Sequence, residues 1–197
     1  SLYNYIASSD ENFFWYAELM DKSWENCVKF FRDNHILVDK YLEYREEKIT
    51  TEELKKFVHE FCASKEDEIF AILGKEIGSL PSIIMKQMET NLFRKMVRMR
   101  ELEITKHLLP KKDLDNNIQT AIKSAVYMNY RYLYNDKSIA DSAPTLHCAT
   151  FFFMRNYAYS GMFRYSNKGG FNVPYGGIAY NSKLMAKKLN YYRSKPL

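Results

Sequence analysis

Arg164 stands between Phe163 and Tyr165 in a stretch, residues 156–181 (NYAYSGMFRYSNKGGFNVPYGGIAYN), that holds five of the chain's seven glycines. A guanidinium held rigid between aromatic neighbours can donate two hydrogen bonds to O6 and N7 of guanine in a DNA major groove. Tyr157 and Tyr159 offer rings that stack on bases or wedge between them. Ser160 and Asn172 can bond to base edges or phosphates. Gly169, Gly170, Gly176 and Gly177 permit close backbone approach and leave amides for phosphate. From residue types alone two readings stand: a nucleic-acid-binding loop, or an aromatic, glycine-rich turn that simply packs.

Charge adds to the first reading. From Ser142 to Leu197 there are eight Lys/Arg and no Asp or Glu, while residues 1–141 carry 21 Lys/Arg against 24 Asp/Glu. Surfaces usually mix signs, so more than fifty residues without a carboxylate fit a polyanionic partner. Other chemistries find little support. Cys27, Cys62 and Cys148 are odd in number and far apart, and His35, His59, His107 and His147 are scattered, so neither a metal site nor a disulfide framework is expected. The cysteines read as small buried side chains. No apolar run approaches the roughly 20 residues that cross a bilayer, and no basic-then-apolar leader opens the chain. A soluble, cytoplasmic protein without membrane contact is expected.

The elements that must position the loop read as mainly α, a helical bundle-like domain with a glycine/aromatic loop and a small β-hairpin near 160–180. Seven Gly and five Pro in 197 residues favour long helices. Asp10 can cap a helix through Phe13, Phe14, Leu19 and Met20, and Ile36–Tyr44 forms a second. Thr50 and Glu53 have capping-box spacing before Leu54, Phe57, Val58 and Phe61. A short helix is expected after Ser64, broken by Gly74 and Gly78, with Glu66, Asp67 and Glu68 favoured there by the helix dipole. Pro81 opens a long helix that Pro110 ends. Its Ile84, Met88, Leu92, Met96 and Met99 read as core, and its Arg94, Lys95, Arg98 and Arg100 either touch phosphate or pair with Glu101 and Glu103 on a solvated face. Another helix spans Asp113–Tyr134, and Pro144 opens a buried one holding Phe151, Phe152 and Phe153. Residues 1–155 form the helical part, 156–181 the loop with its hairpin at Asn167–Gly170, and 182–197 a basic C-terminal helix with Lys183, Lys187 and Lys188.

The segment Gly161–Gly176 (GMFRYSNKGGFNVPYG) resembles the signature of Dam-type N6-adenine DNA methyltransferases, approximately N-G-x-x-R-x-N-x-x-G-x-F-N-x-P-x-G. Laid over Ser160–Gly176, seven of its nine fixed positions match: Gly161, Arg164, Gly169, Phe171, Asn172, Pro174 and Gly176. Ser160 and Ser166 replace Asn, and Gly177 stands where some members carry a basic residue. Phe151-Phe152-Phe153 resembles the family's lead-in to this loop, and Ser1-Leu2-Tyr3-Asn4 the stretch following its N-D-x-N segment. The resemblance implies a target-recognition domain that binds double-stranded DNA beside the parent's catalytic domain. Base readout would fall to Arg164, Tyr159, Ser160, Met162 and Pro174, with Tyr159 next to a flipped adenine. Backbone contacts would fall to Lys168, Asn172, Gly176, Gly177, Lys183 and Lys187. The family's cofactor loop F-x-G-x-G and its catalytic D-P-P-Y do not occur in the 197 residues. The expectation is therefore a middle segment without catalytic residues or cofactor of its own, S-adenosylmethionine belonging to the parent enzyme. The competing expectations are a standalone DNA- or RNA-binding protein and a helical protein-interaction domain. A self-contained enzyme has no Ser/His/Asp, paired-carboxylate or phosphate-loop constellation to stand on.

Overall fold

The computed structural model describes residues 1–77, 81–182 and 184–194. Its described residues form ten α-helices and no strand: α1 Leu2–Ala7, α2 Glu11–Asp33, α3 Ile36–Arg45, α4 Thr51–Ser64, α5 Glu66–Leu73, α6 Pro81–Thr105, α7 Lys111–Asn135, α8 Lys137–Ser142, α9 Pro144–Tyr157 and α10 Ala186–Ser194. The protein is mainly α. No helix of these is long and apolar enough to cross a membrane.

Local chemistry starts several of them. The Asp10 carboxylate accepts from the Phe13 amide at 2.8 Å and caps α2. Thr50 and Glu53 complete the reciprocal capping box of α4. Ser64 starts nothing: its hydroxyl turns back to the Phe61 carbonyl, and α5 opens after Lys65 with three acidic residues in its first turn. Gly74, at φ 77°, ends α5, whereas Gly78 lies outside the described residues. Pro81 opens α6, but α6 stops at Thr105, and Pro110 instead stands immediately before α7. The basic C-terminal helix begins at Ala186 rather than Ser182, because the chain through Asn181 is still committed to the loop.

One apolar core runs through the chain, from Leu2 to Leu189. Helix α2 lies at its centre against α5, α7, α9 and α10, while α6 pairs with α7 along most of its length. The stripe Ile84, Met88, Leu92, Met96 and Met99 is no more than 1% exposed and packs as core. Trp24 joins three regions: its ring meets Phe153 of α9 at 5.3 Å, Tyr157 at 4.5 Å and Tyr175 of the loop at 5.4 Å. The three cysteines are free and buried, and burial pushes the Cys27 and Cys62 thiols up to about 12 and Cys148 up to about 11. Glu103 is not on a solvated face. It is 6% exposed and accepts from the Tyr41 hydroxyl and the Leu109 amide.

Candidate functional site

Between α9 and α10 the described residues of 158–185 form no helix longer than a single turn. It doubles back on itself through two isolated antiparallel bridges, Ala158 with Tyr175 and Tyr165 with Phe171. Around the first, the Tyr159 amide donates to the Pro174 carbonyl at 2.9 Å, and the Gly176 amide to the Tyr157 carbonyl at 2.9 Å. Around the second, Asn172 donates to the Arg164 carbonyl at 3.0 Å and Ser166 to the Gly170 carbonyl at 2.8 Å. The chain reverses between Ser166 and Gly170, where a hairpin is expected from the sequence, with Gly169 at φ 80°.

The loop is carried by one stripe of α7. Reading from the helix start, the Asn116 carbonyl and the Thr120 hydroxyl accept from Asn181 Nδ2 at 3.0 and 2.9 Å. Lys123 Nζ donates to the Asn181 carbonyl. Tyr127 donates its hydroxyl to the Val173 carbonyl at 3.0 Å, with Arg131 reaching the same oxygen at 3.5 Å. Asn135 brackets Phe171, donating to its carbonyl at 3.0 Å and accepting from its amide at 2.8 Å. These positions recur every three or four residues, so they share a face. A loop without ladder partners must satisfy its backbone groups somewhere, and here side chains of α7 do so. Lys123 is 1% exposed, with its ammonium 5.5 Å from the Trp24 ring centre. Burial holds it below the ordinary lysine range. At the far end Asp21 accepts from the Tyr157 hydroxyl at 2.9 Å and from the amides of Met185 and Ala186 at 2.7 and 3.1 Å. It thereby caps α10 from α2.

What this frame presents outward is a run of exposed side chains. Tyr159, Met162, Phe163 and Tyr165 are 41–52% exposed, and Arg164 is exposed beside them. A turn closed by Met162 N–H to the Tyr159 carbonyl at 3.1 Å, with Ser160 at φ 53° and Gly161 at φ 62°, has the left-handed pair of a type I′ turn. Phe163 and Tyr165 do not sandwich Arg164. Their rings lie against Phe151 and Phe171, and the Tyr165 hydroxyl is 3.0 Å from that of Tyr134. Successive side chains of an extended segment alternate, which sends the guanidinium to the other side. There Arg164 Nε donates to Asn172 Oδ1 at 2.9 Å, and Nη2 lies 3.5 Å from the Asn172 carbonyl. Asn172 thus engages the Nε–Nη2 side of the guanidinium, and Nη1 makes no hydrogen bond among the described residues.

The expected site residues thus separate. Tyr159, Ser160, Met162, Arg164 and Pro174 share the doubled-back segment, with Pro174 hydrogen-bonded to Tyr159. Asn172 orients Arg164 instead of facing outward as a backbone contact. Gly176 is not an open amide. Its N–H is spent on Tyr157, and a Cβ there would lie 2.3 Å from the Tyr180 ring, so glycine is required for close packing. Gly177, at φ 80°, precedes the single turn Ile178–Tyr180. Lys168 is exposed at the reversal, Lys187 is exposed on α10, and Lys183 lies outside the described residues. Tyr157 is core, 0% exposed, and cannot stack on a base. The sequence reading missed the α7 stripe, Asn181 and Asp21. The signal for the first was a helix whose polar residues Asn116, Thr120, Lys123, Arg131 and Asn135 keep helical spacing among apolar ones.

Among the described residues no three His, Cys, Asp or Glu converge to hold a metal. The glycine-rich segment joins α9 to the single turn Ile178–Tyr180. Comparison of the chain with protein-family models, curated proteins and solved structures gave no match.

Proposed function

We propose that this chain is the target-recognition part of a site-specific DNA adenine-N6 methyltransferase, reading duplex DNA in the cell interior so that a partner catalytic domain can methylate a flipped adenine with S-adenosylmethionine. The observation that carries the reading is the exposed Arg164, whose guanidinium is held by Asn172 through Nε and Nη2, within a segment free of acid. A guanidinium matches the paired acceptors of guanine. In this reading the reversal at Ser166–Gly170 acts as a small β-hairpin on a helical bundle. Tyr159 and Met162 lie beside the readout residue with Pro174 across from them, and Lys168 and Lys187 contact phosphates.

The test is the affinity for a duplex holding a guanine–adenine step and for an AT-only duplex, across a salt series. Arg164→Ala is expected to cost about 1–3 kcal/mol of discrimination, and Lys187→Ala to weaken both duplexes alike. Equal losses on both duplexes for both variants would remove the readout role. A second reading, a protein-interaction domain, is favoured by the exposed rings of Tyr159, Phe163 and Tyr165. It requires salt-insensitive binding and no dependence on Arg164.

A further inference from the structure

The basic cluster of α6 divides into spent and unspent charges. Arg98 donates to Glu101 at 2.8 Å and Arg100 to Glu47 at 2.6 Å. Arg94 and Lys95 form no ion pair among the described residues. Arg94 is exposed and Lys95 is half-buried, its ammonium held below the ordinary lysine range by burial alone, without a carboxylate to offset it. A partly desolvated ammonium without a counter-ion is costly, and an incoming anion relieves that cost. The two line an open groove with Asn91, the Arg98–Glu101 pair and Ser124 of α7.

The position of this groove follows from the α7 stripe. Ser124 lies one turn beyond Thr120, which accepts from Asn181, and next to Lys123, which donates to the Asn181 carbonyl. The groove therefore flanks the loop's docking face. From Ser124 to Asn135, where the loop's far end is clamped, the helix rises about 16 Å at ~1.5 Å per residue. At ~3.4 Å per base pair that is about five base pairs of duplex.

We propose that the Arg94–Lys95 groove binds the sugar-phosphate backbone of the same duplex, about five base pairs from the bases beside Arg164; the inference rests on the DNA-binding reading above. Phosphate would accept from Arg94 and Lys95, with Ser124 as a neutral donor, since the Asn91 amide already donates to the Gln87 carbonyl and side chain.

The experiment compares the full chain on two duplexes with one guanine–adenine core, flanked by about three or about ten base pairs on each side. Wild type is expected to bind the longer duplex more tightly. Arg94→Glu and Lys95→Met should lose that gain while keeping affinity and guanine preference on the short duplex. The slope of log affinity against log salt should fall by about one for each lost contact. Thermal unfolding checks that both variants fold, and Arg94→Glu, at an exposed helix position, decides alone if Lys95→Met does not. A length gain and slope unchanged in Arg94→Glu would overturn the proposal, as would a wild type without a length gain. Loss of the gain in Arg94→Glu combined with an Arg164→Ala variant that keeps its guanine preference would uphold the groove and sink the readout assignment instead. Capture of a poly-glutamate peptide that Arg94→Glu abolishes, without any length effect on DNA, would hand the groove to an acidic protein and overturn the duplex.

Discussion

Helix α7 is gripped in two different ways. Against α6, whose Ile84, Met88, Leu92, Met96 and Met99 stripe is buried, it packs along a seam with no side-chain hydrogen bond or ion pair between the two helices among the described residues. Towards 171–181 it sends Thr120, Lys123, Tyr127, Arg131 and Asn135 to backbone groups or to Asn181. Apolar burial is strong and tolerant of small shifts, whereas hydrogen bonds fix position and direction. A loop that must keep Tyr159, Met162, Phe163 and Arg164 in solvent cannot be held by burying them. It is held through its main chain and by burying Phe171, Val173 and Tyr175, which leaves the outward side chains exposed. The comparison can be broken at the seam, at the docking face, or where the loop meets the core around Trp24.

The largest effect is expected where the loop meets the core. There Tyr127 of the docking face, Tyr175 of the loop and Tyr157 of α9 are buried in the ring cluster around Trp24, and burial raises their phenols above the ordinary tyrosine range, with Asp21 adding to it at Tyr157. The folded-state values are raised, so the stability these phenols contribute is whole below about pH 10 and lost as pH rises beyond it. Each would cost about 1.4 kcal/mol per pH unit in that window. Urea midpoints taken from pH 8 to 11 should be flat at first and then fall. A flat curve through pH 11 would contradict the burial of these rings. At the seam, Leu92→Ala should cost about 2–5 kcal/mol, read as a lower unfolding midpoint for the whole chain, with native-state protection of 171–181 relative to the helices unchanged.

Asn181→Ala attacks the docking face. It strips partners from the Tyr175 hydroxyl, the Thr120 hydroxyl and the Asn116 carbonyl at once. About 1–3 kcal/mol should be lost, and hydrogen exchange should speed up within 171–182 more than in α6. Uniform acceleration across both regions would mean that the loop and the seam are one cooperative unit, and the distinction drawn above would go.

The two regions also differed in how far they could be read from sequence. The seam announces itself, because five apolar residues at helical spacing have one sensible use. Caps at Asp10 and Thr50 and the helix start at Pro81 follow from side-chain chemistry within a few residues. The docking face does not, since its partners lie between 36 and 65 residues away and an Asn on a helix gives no sign of which backbone it will meet. Arg164 was visible as a residue able to read an acceptor pair. Its orienting partner was taken for a phosphate contact, because Asn172 becomes its neighbour only when the chain doubles back.

That pairing gives a smaller prediction. Asn172→Ala should change stability by under about 0.5 kcal/mol, since the bond is exposed. It should nevertheless remove part of the guanine preference. A freed arginine must be immobilised on binding, at about 0.5–1.5 kcal/mol. Fluorescence anisotropy on the guanine–adenine and AT-only duplexes measures this directly. Full preference in Asn172→Ala would show that the ligand itself orders Arg164.

The smallest effect is expected at the turn that carries the exposed rings. Ser160 and Gly161 are both left-handed, and a Cβ makes that conformation unfavourable for serine, less so for asparagine. Asn-Gly is the favoured pair for such a turn. Ser160→Asn should therefore raise stability by a few tenths to about 1 kcal/mol, measurable as a higher unfolding midpoint. Ser160→Gly should also stabilise, because it relieves the same strain. Binding separates two uses of the position. If the proposed DNA binding is measured and both variants match wild type, Ser160 serves only to aim Tyr159 and Met162. If Ser160→Gly weakens binding while Ser160→Asn preserves or strengthens it, a polar side chain at this turn touches the duplex, and the strain at φ 53° is the cost of presenting it.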